Sequence, residues 1–126
     1  MGFWIYMLFM TIIIPITMVA FGKRFRKSAP DKINHLFGYR TKRSMMNRAT
    51  WEFAHQHMGN LWFRWGSIIC PVSVIAMLPT IGKSVDVVGT VGAIIIMVQL
   101  IPMFVSVAFT EKALKETFDD YGRRRL

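Results

Sequence analysis

The sequence predicts an all-α integral membrane protein, with three transmembrane helices and an amphipathic helix at the cytoplasmic interface before the second crossing. Three observations carry this. Of 126 residues 53% are hydrophobic, yet 16 Lys and Arg against 7 acids give a net charge of +9. The two kinds of residue are segregated, since nearly half of the charged ones fall between Lys23 and Glu52 while long stretches on either side are almost free of charge. Each of those stretches matches the thickness of a bilayer. The length allows one membrane domain, residues 1–126. In this setting the basic balance reads as loops held at an anionic membrane surface, with no direct nucleic-acid partner.

The first crossing is expected at about residues 3–22. Phe3 to Gly22 carries no formal charge, and at 1.5 Å per residue it spans about 30 Å. Basic residues follow it, at Lys23, Arg24, Arg26 and Lys27, whereas a signal peptide has its basic residues in front and a small-residue cleavage site behind. Trp4 and Tyr6 stand at the outer interface. Pro15 is tolerated because a neighbouring helix can satisfy the carbonyl it frees.

The second crossing, about 61–79, holds Arg64 as its one charge, a single turn in, where it can snorkel to the interface. Pro79 to Gly82 ends it. The third, about 87–110, has Gln99 and a few hydroxyls as its polar side chains. The short turn between the two makes them antiparallel neighbours. Gly89 and Ala93, four apart, offer a narrow face for close helix approach. Cys70 has no intrachain partner for a disulfide and reads as an apolar-run side chain.

Charge sets the orientation. The segment Lys23 to Arg48 carries nine Lys and Arg and the tail after Thr110 five, against Lys83 alone in the other connection. By the positive-inside rule the loop 23–60 and the tail 111–126 are cytoplasmic, with the N-terminus outside, in the plasma membrane.

Everything sequence-specific lies in the first loop. Ser28 to Asp31 breaks the first helix; Gly38 allows a backbone turn; Ser44, or failing that Asn47, can cap a new helix. From Met45 onward Trp51, His55, Met58, Trp62, Trp65 and Ile69 recur at steps of three and four. That stripe reads as an amphipathic helix lying in the inner interface, its tryptophans as anchors, turning at Gly59-Asn60 into the second crossing.

With Asn34 just ahead of it, the string Gly38-Tyr39-Arg40-Thr41, then Ser44-Met45-x-Asn47, Trp51, His55 and Gly59, resembles the shared motif of the SdpI/YfhL family of bacterial membrane proteins, in its short branch with one motif-bearing unit. The resemblance runs from about Asn34 to Leu61 in sequence and over the whole chain in hydropathy. It implies toxin immunity, a form of bacteriocin resistance: protection of the producing cell against a secreted, membrane-active peptide. The alternative it implies is signal transduction, in which the membrane-anchored chain sequesters a small transcriptional repressor. The implied partners are thus the bilayer, a peptide toxin and a repressor.

The residues themselves do not point to an enzyme. Arg40 can pair with a carboxylate, with Glu52 as a candidate, or with a lipid phosphate. His55 and His57 are about 200° apart on a helix and cannot share a metal. No catalytic triad, phosphate loop or intramembrane acid is present, so neither a cofactor nor a metal site is expected.

Overall fold

Lipid offers a backbone no hydrogen-bond partners, so each apolar run must satisfy its own N–H and C=O groups as a helix. The computed structural model describes residues 1–31, 33 and 39–125. Among them it contains three α-helices, α1 (Gly2–Lys27), α2 (Arg48–Met77) and α3 (Val85–Thr117), with a one-turn 3₁₀ segment at Leu78–Thr80. All three are long and apolar enough to cross a membrane. No β-strand occurs among the described residues, where one isolated bridge pairs Phe118 with Arg124. The expected three-helix membrane fold is the one observed.

Local chemistry sets the helix ends. Arg24, Arg26 and Lys27 occupy the last turn of α1, where cations favour the helix dipole. Pro30 then excludes helical backbone at Ala29. Asn47 opens α2 with a reciprocal cap: its Oδ1 accepts from the Thr50 N–H at 2.9 Å, and Thr50 Oγ1 accepts from the Asn47 N–H at 3.0 Å. The choice left between Ser44 and Asn47 therefore falls to Asn47. At the far end Gly82, with φ +79°, turns the chain into α3, which Ser84 caps.

α2 departs from expectation in one respect. It is a single helix through Gly59 and Asn60, with no separate interfacial helix before the crossing. Thirty residues make it about 45 Å long, so its first turns stand beyond the about 30 Å hydrocarbon layer, coaxial with the crossing. The stripe from Trp51 to Ile69 keeps one helical phase across Gly59, and a helix reoriented at that point would lose the phase. Trp51, Ala54, His55 and Met58 are buried against the protein instead of lying in the interface.

Gly59 faces α1. A Cβ built on it would come within 2.4 Å of the Arg26 nitrogen, and one on Gly22 within 2.4 Å of the Phe63 nitrogen. One step along the antiparallel pair, a Cβ on Gly66 would meet the Pro15 oxygen at 2.9 Å. Backbone-to-backbone contact of this kind is how membrane helices associate when both solvent and side chains are apolar. The small face expected at Gly89 and Ala93 contributes less, because Gly89 meets only the Phe3 ring, at 3.6 Å.

Two apolar clusters sit at opposite ends of the bundle. Met7, Met77 and Val88 pack near the turn between α2 and α3. There the Trp4 indole donates to the Met77 carbonyl and to Thr80 Oγ1. Phe25, Tyr39, Ala54, Met58, Leu114 and Phe118 pack at the end where the first loop lies. Between the clusters Gln99 Nε2 donates to the Thr11 carbonyl and to Ser73 Oγ, each at 2.7 Å, joining all three helices. Thr11 is the residue whose carbonyl Pro15 leaves without its usual partner, so α3 supplies the missing donor. Elsewhere the spans are little buried, with Ile75, Met97 and Phe104 all more than 60% exposed. A face this apolar requires lipid as its solvent.

Candidate functional site

The loop motif folds into a hydrogen-bonded latch over the start of α2 and the end of α3. Its centre is His55, fully buried one turn after Trp51. His55 Nε2 accepts the Tyr39 backbone N–H at 2.8 Å, and Nδ1 lies 2.8 Å from the Trp51 carbonyl. A nitrogen that accepts an amide proton carries none of its own, so the ring is neutral with its proton on Nδ1, donating to Trp51. Phe25 meets the imidazole edge-on at 5.0 Å, and Trp51 lies tilted against it at 4.2 Å. Both ring nitrogens are therefore occupied, and the residue has no exposed surface.

Tyr39 ties the loop to α3. Its hydroxyl donates to Glu111 Oε1 at 2.8 Å, with the Val107 carbonyl at 3.2 Å. Burial first, and then the Glu111 carboxylate as acceptor and as charge, raise the phenol pKa well above its ordinary value. It remains a donor throughout the physiological range. Substituting Tyr39→Phe removes this bond while leaving the ring packed, and should cost about 1.5 kcal/mol, the low end for a bond to a charged group because half-buried Glu111 regains water. Titration with sodium dodecyl sulfate from a mild detergent would show this as an earlier unfolding midpoint.

Thr41 and Ser44 close the turn that follows. Ser44 Oγ accepts from the Thr41 N–H at 2.9 Å and lies 3.1 Å from the Tyr39 carbonyl, while Thr41 Oγ1 accepts from the Ser44 N–H. Half-buried Met45 follows in the same turn, its N–H donating to the Thr41 carbonyl. Trp51, with no exposed surface, donates from Nε1 to the Pro30 carbonyl at 2.9 Å. Arg48 also donates to the Pro30 carbonyl, and to that of Asp31. Trp51 is thus a pin between the exit of α1 and the start of α2, not an interfacial anchor. Of the other tryptophans on the stripe, Trp62 donates to Ser106 Oγ at 2.8 Å and Trp65 meets Phe109 edge-on.

One expected contact resolves differently. Glu52 pairs with Arg48 on its own helix, Nε to Oε1 2.9 Å, and not with Arg40, because an i,i+4 neighbour is already in reach. The Arg40 side chain is exposed beside the buried Tyr39. Asn34 and Gly38 lie outside the described residues. Gly59 belongs to the helix crossing under the latch. The described residues contain no group of three or more His, Cys, Asp or Glu placed to hold a metal.

Several participants were not picked out by the motif. Asn47 Nδ2 donates to the Gly122 carbonyl at 2.7 Å, so the C-terminal tail folds back onto the α2 cap. Gly122 has φ +78°, and a Cβ on it would meet that same nitrogen at 2.6 Å. Asp119 organises the tail by accepting from the backbone N–H groups of Arg123 and Tyr121 and from the Arg123 guanidinium. Those contacts, led by the Arg123 N–H, hold its carboxyl below the ordinary range. Arg43 bridges loop to tail through Asp120 at 3.2 Å. Pro30, Glu111 and Gly122 contribute through backbone or through a distant helix, which local spacing does not reveal. Gly22 was legible: Gly59 and Gly66 are seven apart, as are Pro15 and Gly22, two turns on one face of each helix.

The latch is a joint. Its polar groups are turned on one another, fixing the distance between the α1 exit, the α2 start and the α3 end. Comparison with curated proteins and with solved structures gave no match. A model of one protein family does match, over residues 31–110, which takes in the latch loop from Asp31 onward, α2 and most of α3. On that match, which covers more than half of its length, the chain belongs to the SdpI/YfhL protein family.

Proposed function

We propose that the protein is a membrane immunity protein of the bacterial plasma membrane, protecting its cell against a secreted, membrane-active peptide toxin. The observation that carries the reading is the family match over residues 31–110. The latch supports a role without catalysis, since His55 has both nitrogens engaged, Glu52 is paired with Arg48 and the Tyr39 phenol is bound to Glu111. The charge asymmetry supports an orientation with latch and tail in the cytoplasm and the α2–α3 turn outside.

Expression in a strain sensitive to membrane-active peptides tests this directly. Survival should rise on induction, and a panel of such peptides that kills induced and uninduced cells equally would remove the reading. A cysteine at residue 40 should resist an impermeant thiol reagent in intact cells, whereas one at residue 83 should react.

A second reading, capture of a small transcriptional repressor, is favoured by the docked tail, which presents Tyr121, 80% exposed, beside Arg123. It predicts that a tagged repressor moves to the membrane when toxin is present, and that truncation after Thr117 abolishes that movement.

A further inference from the structure

Along the seam between α2 and α3 the bundle is open to the membrane. A groove of about 390 Å³ passes Trp65 and Ile101, and a second of about 310 Å³ continues it past Val72 and Gln99. Ile68, Ile69 and Pro102 line both, so they form one seam, and no α1 residue enters it.

Gln99 makes this seam more than a lipid-filled crease. It lines the groove and is 3% exposed. Its Nε2 uses both protons, on the Thr11 carbonyl and on Ser73 Oγ. Its Oε1 is the one buried side-chain nitrogen or oxygen without a partner among the described residues. Turning the amide over would set that oxygen against the Thr11 carbonyl, acceptor to acceptor, so the observed orientation is the only sensible one. An acyl chain lying in the seam brings no donor, and an unpaired acceptor in hydrocarbon is unfavourable. Pro102, in the same wall, lacks the N–H that a regular helix would offer to the Val98 carbonyl.

We propose that the α2–α3 seam receives one apolar peptide helix whose membrane-embedded part carries a hydroxyl or amide side chain, and that this side chain donates to Gln99 Oε1 after a rotamer change in the groove wall. The occupant is a foreign peptide rather than a second copy because the half that holds Gln99 reaches Ala76, close to the α2–α3 turn. In the orientation proposed above, that turn faces the outside, from which a secreted peptide arrives. The identity of the peptide as a toxin rests on the immunity reading; the binding chemistry does not.

The experiment uses the full chain in phosphatidylcholine–phosphatidylglycerol vesicles with two dansyl-labelled, lysine-flanked polyleucine peptides, one with a central asparagine and one with leucine there. Energy transfer from the protein's tryptophans reads association. The asparagine peptide should associate about fivefold more tightly. Val72→Phe, which fills the groove from an exposed position, should erase that preference, whereas Ile13→Phe on the exposed face of α1 should keep it; equal thermal midpoints of both variants establish that they are folded. Equal association of the two peptides, or a preference that survives Val72→Phe, overturns the proposal. So does transfer from unlabelled to dansyl-labelled copies of the protein, in a parallel vesicle sample, where neither peptide associates, which would assign the seam to self-association. In the killing assay, loss of protection in Val72→Phe alone supports the seam, and protection by both forms removes the seam while immunity stands. If the wild type fails to protect, immunity falls and the vesicle measurement still decides the seam.

Discussion

Gly59→Leu is expected to separate α1 from α2 and leave little folded protein in the membrane fraction. The atoms facing that position are backbone: the Arg26 nitrogen at 2.4 Å from an ideal Cβ, with the Gly22 oxygen and Phe25 carbonyl carbon at 2.9 Å. A side chain could rotate away; a helix backbone can only retreat as a body. Retreat would open the Gly22 and Gly66 contacts together and shift the α1 exit that Trp51 pins. Overpacking typically costs about 1–3 kcal/mol, and contact with three rigid backbone atoms of α1 puts this case at about 3 kcal/mol or more. Gly89→Leu is the control: there a Cβ makes ordinary contact with the Phe3 ring, and the unfolding midpoint should move far less. Detergent unfolding curves of both variants, run with matched expression blots, test the contrast. Equal midpoints would mean that the α1–α2 crossing does not hold the bundle together.

Trp51→Ala should release the latch, with a loss of about 3–5 kcal/mol. Most of that is volume. Trp51 has no exposed surface, and Phe25 and Tyr39 approach the His55 ring against which it lies. The indole hydrogen bond matters less, because the Pro30 carbonyl keeps a second donor in Arg48. Trp51→Phe shifts the balance between the terms, since it removes the indole N–H, a bond worth about 1 kcal/mol, while keeping a six-membered ring and so most of the buried volume. Protease accessibility of the loop between α1 and α2, measured in inside-out vesicles, should rise sharply in Trp51→Ala and slightly in Trp51→Phe. If both substitutions expose the loop equally, the hydrogen bond rather than the packing governs the latch.

These predictions place the motif's value in architecture. Tyr39, Ser44, Asn47, Trp51 and His55 are spread over seventeen positions, and the bonds from Tyr39 to Glu111, Asn47 to Gly122 and Trp51 to Pro30 reach across gaps between chain segments. The spacing of Trp51 and His55 already said that they share a helical face, one turn apart. It could not say that the face meets the Tyr39 backbone rather than a membrane interface, because an apolar stripe looks the same whether lipid or protein covers it. The same ambiguity produced the expected break at Gly59-Asn60. A glycine in an apolar helix serves equally as a bend or as a contact point, and only the position of α1 distinguishes the two.

The three crossings follow from the sequence alone. Segment length against bilayer thickness, and the near absence of charge within each segment, with Arg64 the one exception, are local quantities that need no neighbour to be read. The close α1–α2 pairing, the reach of Gln99 to Thr11 across the bundle, the union of Tyr39 with Glu111 and the return of the tail to Asn47 were decided by the tertiary structure. Each depends on which residues, far apart in the chain, arrive at the same depth, and that is fixed by how helices pack when solvent no longer drives them together.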